Sequence, residues 1–127
     1  FDRDPASRPN SDKLRDILNQ ISEGGGAVLG AEIDGQIVGT CTVVICPNLS
    51  WSGRPYAMIE NVVVARGNRL QGVGKALMKD AESVARDAGC YKVALMTGVN
   101  RGESFKFYES CSFIRNKVGF QRRFDDE

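Results

Sequence analysis

Leu14, Ile17, Leu18 and Ile21 recur at i, i+3, i+4 and i+7, which lays them along one side of an α-helix. Ser11 is placed to cap this helix, and Gly24, Gly25 and Gly26 stop it. The period then changes. Residues 27–33 read as a strand, Asp34 and Gly35 have the chemistry of a tight hairpin turn, and residues 36–45 read as the antiparallel partner. Residues 46–55 hold Pro47, Gly53 and Pro55 and predict a loop with Leu49 and Trp51 at its tip. Trp51 is expected to pack back onto the sheet, with a place at a substrate mouth as the alternative. Residues 56–64 predict a third strand, apolar at Met58, Ile59, Val62, Val63 and Val64 as for a strand covered on both faces, and interrupted by Glu60 and Asn61.

From Gly72 onward, Val73, Leu77, Ala81, Val84 and Ala88 keep a helical rhythm up to Gly89, with Lys79, Glu82, Arg86 and Asp87 on the other side. Residues 91–96 predict a short strand, 103–110 a short helix and 118–124 a last strand. The order helix, three strands, helix, strand, helix, strand mixes hairpins with crossovers. Its solution is an α/β chain with a mixed sheet and helices on the faces.

Composition narrows the class. A chain of 127 residues holds one compact core, and 42% hydrophobic with 26% charged residues is a globular balance, so a single domain is expected. Seventeen basic against sixteen acidic residues leave a formal charge of +1, which gives no overall field for nucleic acid or an anionic membrane. No apolar run reaches membrane-spanning length and residues 1–10 lack the apolar core of a signal peptide, so a cytoplasmic location is expected. The chain begins at Phe1, and residues upstream of it are expected. With no histidine, a His-based triad is excluded and a zinc site would need Cys41, Cys46, Cys90 and Cys111 together. None of them form Cys-x-x-Cys, so the expectation is reduced, buried thiols and no metal.

The chemistry concentrates where the third strand meets the second helix. Glycines at such a junction let an anion approach the first, unpaired N–H groups of the helix without a Cβ in the way. The dinucleotide spacing G-x-G-x-x-G fits Gly72 and Gly74 but meets Leu77 at its third glycine. The P-loop spacing fails at Arg69 and at Ala76. Arg69-Leu70-Gln71-Gly72-Val73-Gly74 does match R/Q-x-x-G-x-G/A, and in this it resembles motif A of the GNAT (GCN5-related N-acetyltransferase) superfamily. Downstream, Asn100 and the run Phe107-Tyr108-Glu109-Ser110-Cys111-Ser112-Phe113 are similar to that family's N-x-x-A-x-x-x-Y and F-Y-E-x-x-G-F segments. Two departures are visible: the Asn-to-Tyr spacing is one residue longer, and Ser112 stands where the family has glycine.

The resemblance covers roughly residues 27–124. It implies an α/β (α+β) GNAT fold, in which a mixed central sheet with helices on both faces splays where acetyl-CoA inserts. Members usually carry a further strand and helix before the first helix read here, so those elements are expected to be missing or upstream. Arg69, Leu70, Gln71, Gly72, Val73, Gly74 and Lys75 would then hold the CoA pyrophosphate, chiefly through the amides of residues 71–75. Val62, Val63 and Val64 would pair with the pantetheine arm through main-chain groups, and Asn100 would add a cofactor contact.

Acetyl transfer needs a neutral amine, a stabilised oxyanion and a proton for the leaving thiolate. Alternation along the third strand puts Glu60 on the face of Met58 and Val62. A carboxylate in so apolar a strand has either a partner or a task. Glu60 is thus the candidate general base, or else a structural carboxylate bonded to a loop amide or to Arg54. The stretch Ile59-Glu60-Asn61-Val62-Val63-Val64 resembles the strand of glucosamine 6-phosphate N-acetyltransferases and related small-amine enzymes, which supports a base without naming the amine. Tyr108 is the candidate general acid by the same resemblance, with aromatic packing as its alternative, and a backbone N–H of the Val62 to Val64 segment is the oxyanion donor. Arg115, Lys117, Arg122 and Arg123 read as a solvated strand face.

The implied activity is transfer of acetyl from acetyl-CoA to a primary amine, with a non-catalytic acyl-CoA-binding module as the alternative and a nucleotide-binding α/β domain as a third reading. The expected partners are acetyl-CoA and the amine, with no nucleic acid and no membrane; a homodimer is allowed.

Overall fold

The computed structural model describes residues 8–125, which fall into two compact units, one ending at Leu95 and the other starting at Met96. The first holds α1 (Ser11–Glu23), β1 (Ala27–Ile33), β2 (Gln36–Cys46), β3 (Tyr56–Val64), α2 (Val73–Asp87) and β4 (Val93–Leu95).

Asn10, rather than Ser11, caps α1: its side-chain oxygen accepts the Lys13 N–H at 2.9 Å while its own backbone stays extended. The apolar side of α1 forms as read, yet Leu14 and Leu18 remain about half exposed, at 45% and 46%. Asp34 and Gly35 close the β1–β2 hairpin with positive φ at both positions, the two-residue turn whose twist matches its strands.

The sheet order is β1-β2-β3-β4, antiparallel except for the β3–β4 pair. Helix α2 makes the crossover between β3 and β4 and supplies the core. Val73, Leu77, Met78, Ala81 and Ala85 are buried on it, against Cys41 and Val43 of β2 and Ala57 and Ile59 of β3. Contact is closest at Gly39, where an added Cβ would lie 2.9 Å from Val73 Cγ1 and 3.1 Å from Leu77 Cδ1. That glycine lets the first turn of α2 sit directly on the sheet. On the opposite face Val44 and Met58 are only half-buried, so within this unit β3 lacks the two-sided cover its apolar run suggested.

The second unit contains α3 (Gly102–Ser110) and an extended tail, with no buried residue among those described. Two strand expectations change. The strand read over residues 91–96 shortens to Val93–Leu95, and residues 118–124 form none. Val118 and Phe120 alternate as a strand would, but are 82% and 93% exposed. Alternation supplies a face; a strand also needs a neighbour for its backbone groups, and no strand is found in this unit among the described residues.

Candidate active site

β3 meets β4 at Ala57, Met58 and Ile59 alone, opposite Val93, Ala94 and Leu95. Beyond Ile59 no strand among the described residues pairs with its outer edge, which leaves the main-chain donors and acceptors of residues 62–64 on that side without a strand partner. The inner edge stays paired to β2 through a bulge. Glu60 lies opposite Thr42 and Val63 opposite Thr40, so Asn61 and Val62 share the space facing Cys41. Asn61 adopts φ 54°, a left-handed conformation that its short amide side chain tolerates. The extra residue breaks the period of two. Glu60 therefore shares its face with Met58 and Val63, not with Val62 as strict alternation required.

After β3 the chain makes a 3-10 turn at Arg66–Asn68 and reaches α2 through Leu70 and Gly72, at φ 65° and 81°. Gly72 is the residue preceding the helix and offers no side-chain cap. The first intrahelical bond runs from the Ala76 N–H to the Gly72 carbonyl at 3.0 Å, which leaves the N–H groups of Val73, Gly74 and Lys75 without intrahelical acceptors. Arg66, Arg69 and Lys75 are exposed beside them, and the first turn of α2 carries no acid. Leu70 is fully exposed, and Gln71 accepts a weak 3.4 Å bond from Asn68. Unpaired amides, the positive end of the helix dipole and three cations make an anion cradle.

Glu60 is exposed and forms no hydrogen bond or ion pair with a described residue. Arg54, its alternative partner, is engaged elsewhere: Nε and Nη2 donate to the carbonyls of Gly89 and Cys90 at 3.3 and 3.1 Å, in the turn that follows α2. Trp51 stacks on Tyr91, just before β4, at 5.0 Å and 18°, and stays 65% exposed rather than packing onto the sheet.

Asn100 and Tyr108 lie in the second unit. Asn100 is exposed in the turn before α3, and Arg101 occupies the helix-capping position without a side-chain bond. Tyr108 is half-buried on α3, edge-on to Phe107 at 5.1 Å and to Phe113 at 6.0 Å. Ser112 takes φ 71°, which explains why the family pattern has glycine there. The basic tail is partly employed, with Arg115 over Phe105 at 4.9 Å and Arg123 paired to Asp125.

Only Cys41 is buried; Cys46, Cys90 and Cys111 are half-buried, which corrects the expectation of four buried thiols. Burial, helped by Asp80, pushes the Cys41 thiol above its ordinary range, and burial with Cys46 nearby raises Cys90. Sequence reasoning missed the bulge at Asn61 and the left-handed turn at Leu70. An Asn after Glu60 in an apolar strand was the available signal for the first; nothing in Leu70 marked the second.

The model of the acetyltransferase (GNAT) family matches residues 2–113. Among curated proteins, the chain is similar to the glucosamine 6-phosphate N-acetyltransferase of Trypanosoma brucei brucei, 40% identical over 79 residues, covering 62% of this chain and 52% of that one. It is also similar to N-acetyltransferase 8 of Rattus norvegicus, 32% identical over 100 residues, 79% of this chain and 45% of that one. The chain thus spans about half the length of these curated relatives. A solved acetyltransferase structure from Trypanosoma brucei superposes with a TM-score of 0.78 at 30% identity, covering 95% of this chain and 84% of that one.

Proposed function

We infer the function from one premise: the chain belongs to the acetyltransferase (GNAT) family. Its α/β fold, a four-stranded mixed sheet with three helices among the described residues, is shared with solved acetyltransferases. We propose that the protein is an acetyl-CoA-dependent N-acetyltransferase that passes the acetyl group to a primary amine by direct attack on the thioester. The observation that carries this reading is the run from an open strand edge at Val62, Val63 and Val64 into the unpaired amides of Val73, Gly74 and Lys75. An extended arm ending in a diphosphate matches both halves of that run, where a nucleotide alone would leave the strand edge unused.

When bound, acetyl-CoA supplies the activated acyl group. The chain's residues do the rest. The amides of residues 71–75, with Arg69 and Lys75, neutralise the pyrophosphate, and the β3 edge orients the arm. Glu60, exposed and unpaired, takes a proton from the incoming ammonium so that the amine lone pair can attack. A β3 backbone N–H stabilises the oxyanion; Tyr108 donates its phenol proton to the departing sulfur, the nitrogen gives its second proton to solvent, and solvent reprotonates the phenolate. Asn100 adds a cofactor contact. On this reading the two units belong to one N-acetyltransferase domain that works in the cytoplasm, alone or as a homodimer.

The test is release of free CoA from acetyl-CoA against glucosamine 6-phosphate, spermidine, a peptide amino terminus and an aminoglycoside. At least one should be acetylated. With that amine, Glu60→Gln and Tyr108→Phe should each lower kcat by about 100-fold or more while CoA affinity holds within about two-fold. CoA binding without turnover of any amine would make the chain an acyl-CoA-binding module and end the enzymatic reading.

A further inference from the structure

The register of β2 against β3 places one more polar side chain beside the candidate base. Along β2, Gly39, Cys41 and Val43 lie under α2, with Cys41 and Val43 fully buried. The alternate residues Thr40, Thr42 and Val44 therefore share the opposite face with Glu60 and Met58. Val28, Thr42 and Glu60 form one row across three strands; Gly30, Thr40 and Val63 form the next.

This face is accessible within its unit. Val28 is 46% exposed, Thr40 and Thr42 are half-buried, and Gly30 brings no side chain. Ile37, Val38, Val43, Val44 and Ile45 make β2 largely aliphatic, and Thr40 and Thr42 set two hydroxyls on one face beside Glu60. Neither Thr42 nor Glu60 forms a hydrogen bond through its side chain with any described residue. Directly opposed residues in an antiparallel pair hold their Cβ atoms about 4.5–5.5 Å apart. One nitrogen can reach both a threonine hydroxyl and a glutamate carboxylate across such a gap.

We propose that Thr42 binds the acceptor amine, its Oγ1 accepting one N–H while the Glu60 carboxylate accepts another. The inference rests on Glu60 as the general base and adds the group that orients the nitrogen. An arriving ammonium donates to both oxygens. Glu60 takes its proton and becomes a carboxylic acid; Thr42 keeps its hydrogen bond and exchanges no proton. The lone pair is freed along the former bond to Glu60, and the neutral amine pivots about its remaining hydrogen bond to Thr42 to bring that lone pair onto the thioester.

The experiment uses steady-state kinetics with the amine most readily acetylated in the panel. Thr42→Val keeps shape and strand propensity but removes the acceptor, and should raise the amine KM about ten-fold while the acetyl-CoA KM and the melting temperature stay unchanged. Thr42→Ser should restore the amine KM. If Thr42→Val melts early, Thr42→Ala gives the same reading at a temperature where it is folded. A purely structural threonine would shift both KM values together in the folded variants, and that result overturns the inference. An unchanged amine KM in Thr42→Val, with Glu60→Gln still impaired, sinks Thr42 alone. Full turnover in Glu60→Gln sinks the base and this inference with it, and so does a wild-type chain that acetylates no amine.

Discussion

All ten buried apolar residues of the described chain, from Val38 to Ala85, belong to the first unit, while the second has none. The anion cradle inherits its shape from that core. Val73 and Leu77 are pinned against Gly39, so the amides one turn away are aimed by packing. Tyr108 sits instead on a short helix whose internal support is the aromatic edges of Phe107 and Phe113. Within one chain, the candidate anion-binding groups are backbone atoms fixed by a core, and the candidate proton donor is a side chain on a unit without one. The difference teaches where substitutions should register as lost stability and where as lost chemistry.

The largest expected effect separates the two units directly. Leu77→Ala should cost about 2–5 kcal/mol in urea unfolding, because it empties a site buried under the sheet. Phe120→Ala, at 93% exposure, should stay within about 0.5 kcal/mol. Comparable losses would abolish the contrast. Next comes Gly72→Ala, which forces a Cβ into φ 81° and should cost about 1–2 kcal/mol while weakening CoA binding in calorimetry. Unaltered CoA affinity would detach the cradle from the backbone conformation of that turn.

Its mirror in the second unit is Ser112→Gly. Serine there holds φ 71°, and glycine should stabilise the chain by about 1 kcal/mol in the same unfolding measurement. No gain would mean that the left-handed turn is not maintained in solution. The smallest effect concerns pH. Burial raises the Cys41 thiol, so the folded chain keeps a proton that the unfolded chain gives up above about pH 8.5. That stability is fully present below the unfolded value and is lost as pH rises through the folded one. Melting temperatures followed from about pH 7 to pH 10 should fall less steeply in Cys41→Ala than in the parent chain; identical slopes would remove Cys41 from the account.

Local chemistry was legible where a few adjacent residues decide the outcome. The Asp34-Gly35 turn, the bounds of β1 and β3 and the glycine at the start of α2 could be read because turn φ values, strand alternation and helix periodicity are properties of short stretches. The cap of α1 was misplaced by one residue, since Asn10 and Ser11 are both good caps and only the extended backbone of Asn10 chooses between them. Residues 118–124 illustrate the opposite limit: their alternation is real, yet pairing depends on a neighbour that the local pattern does not specify.

The sequence by itself determined the order of the elements as far as α3, the family motif around Gly72 and Gly74, and the presence of one acid, Glu60, in an apolar strand. Only the tertiary structure decided what surrounds that acid. The bulge at Asn61 changes which residues share its face, the register brings Thr42 opposite, and Arg54 is drawn to the end of α2 instead. Period and propensity act along the chain within a few residues; register, bulges and the bonds between distant loops are settled by groups up to 36 positions apart, and their outcome exists only once the chain has folded.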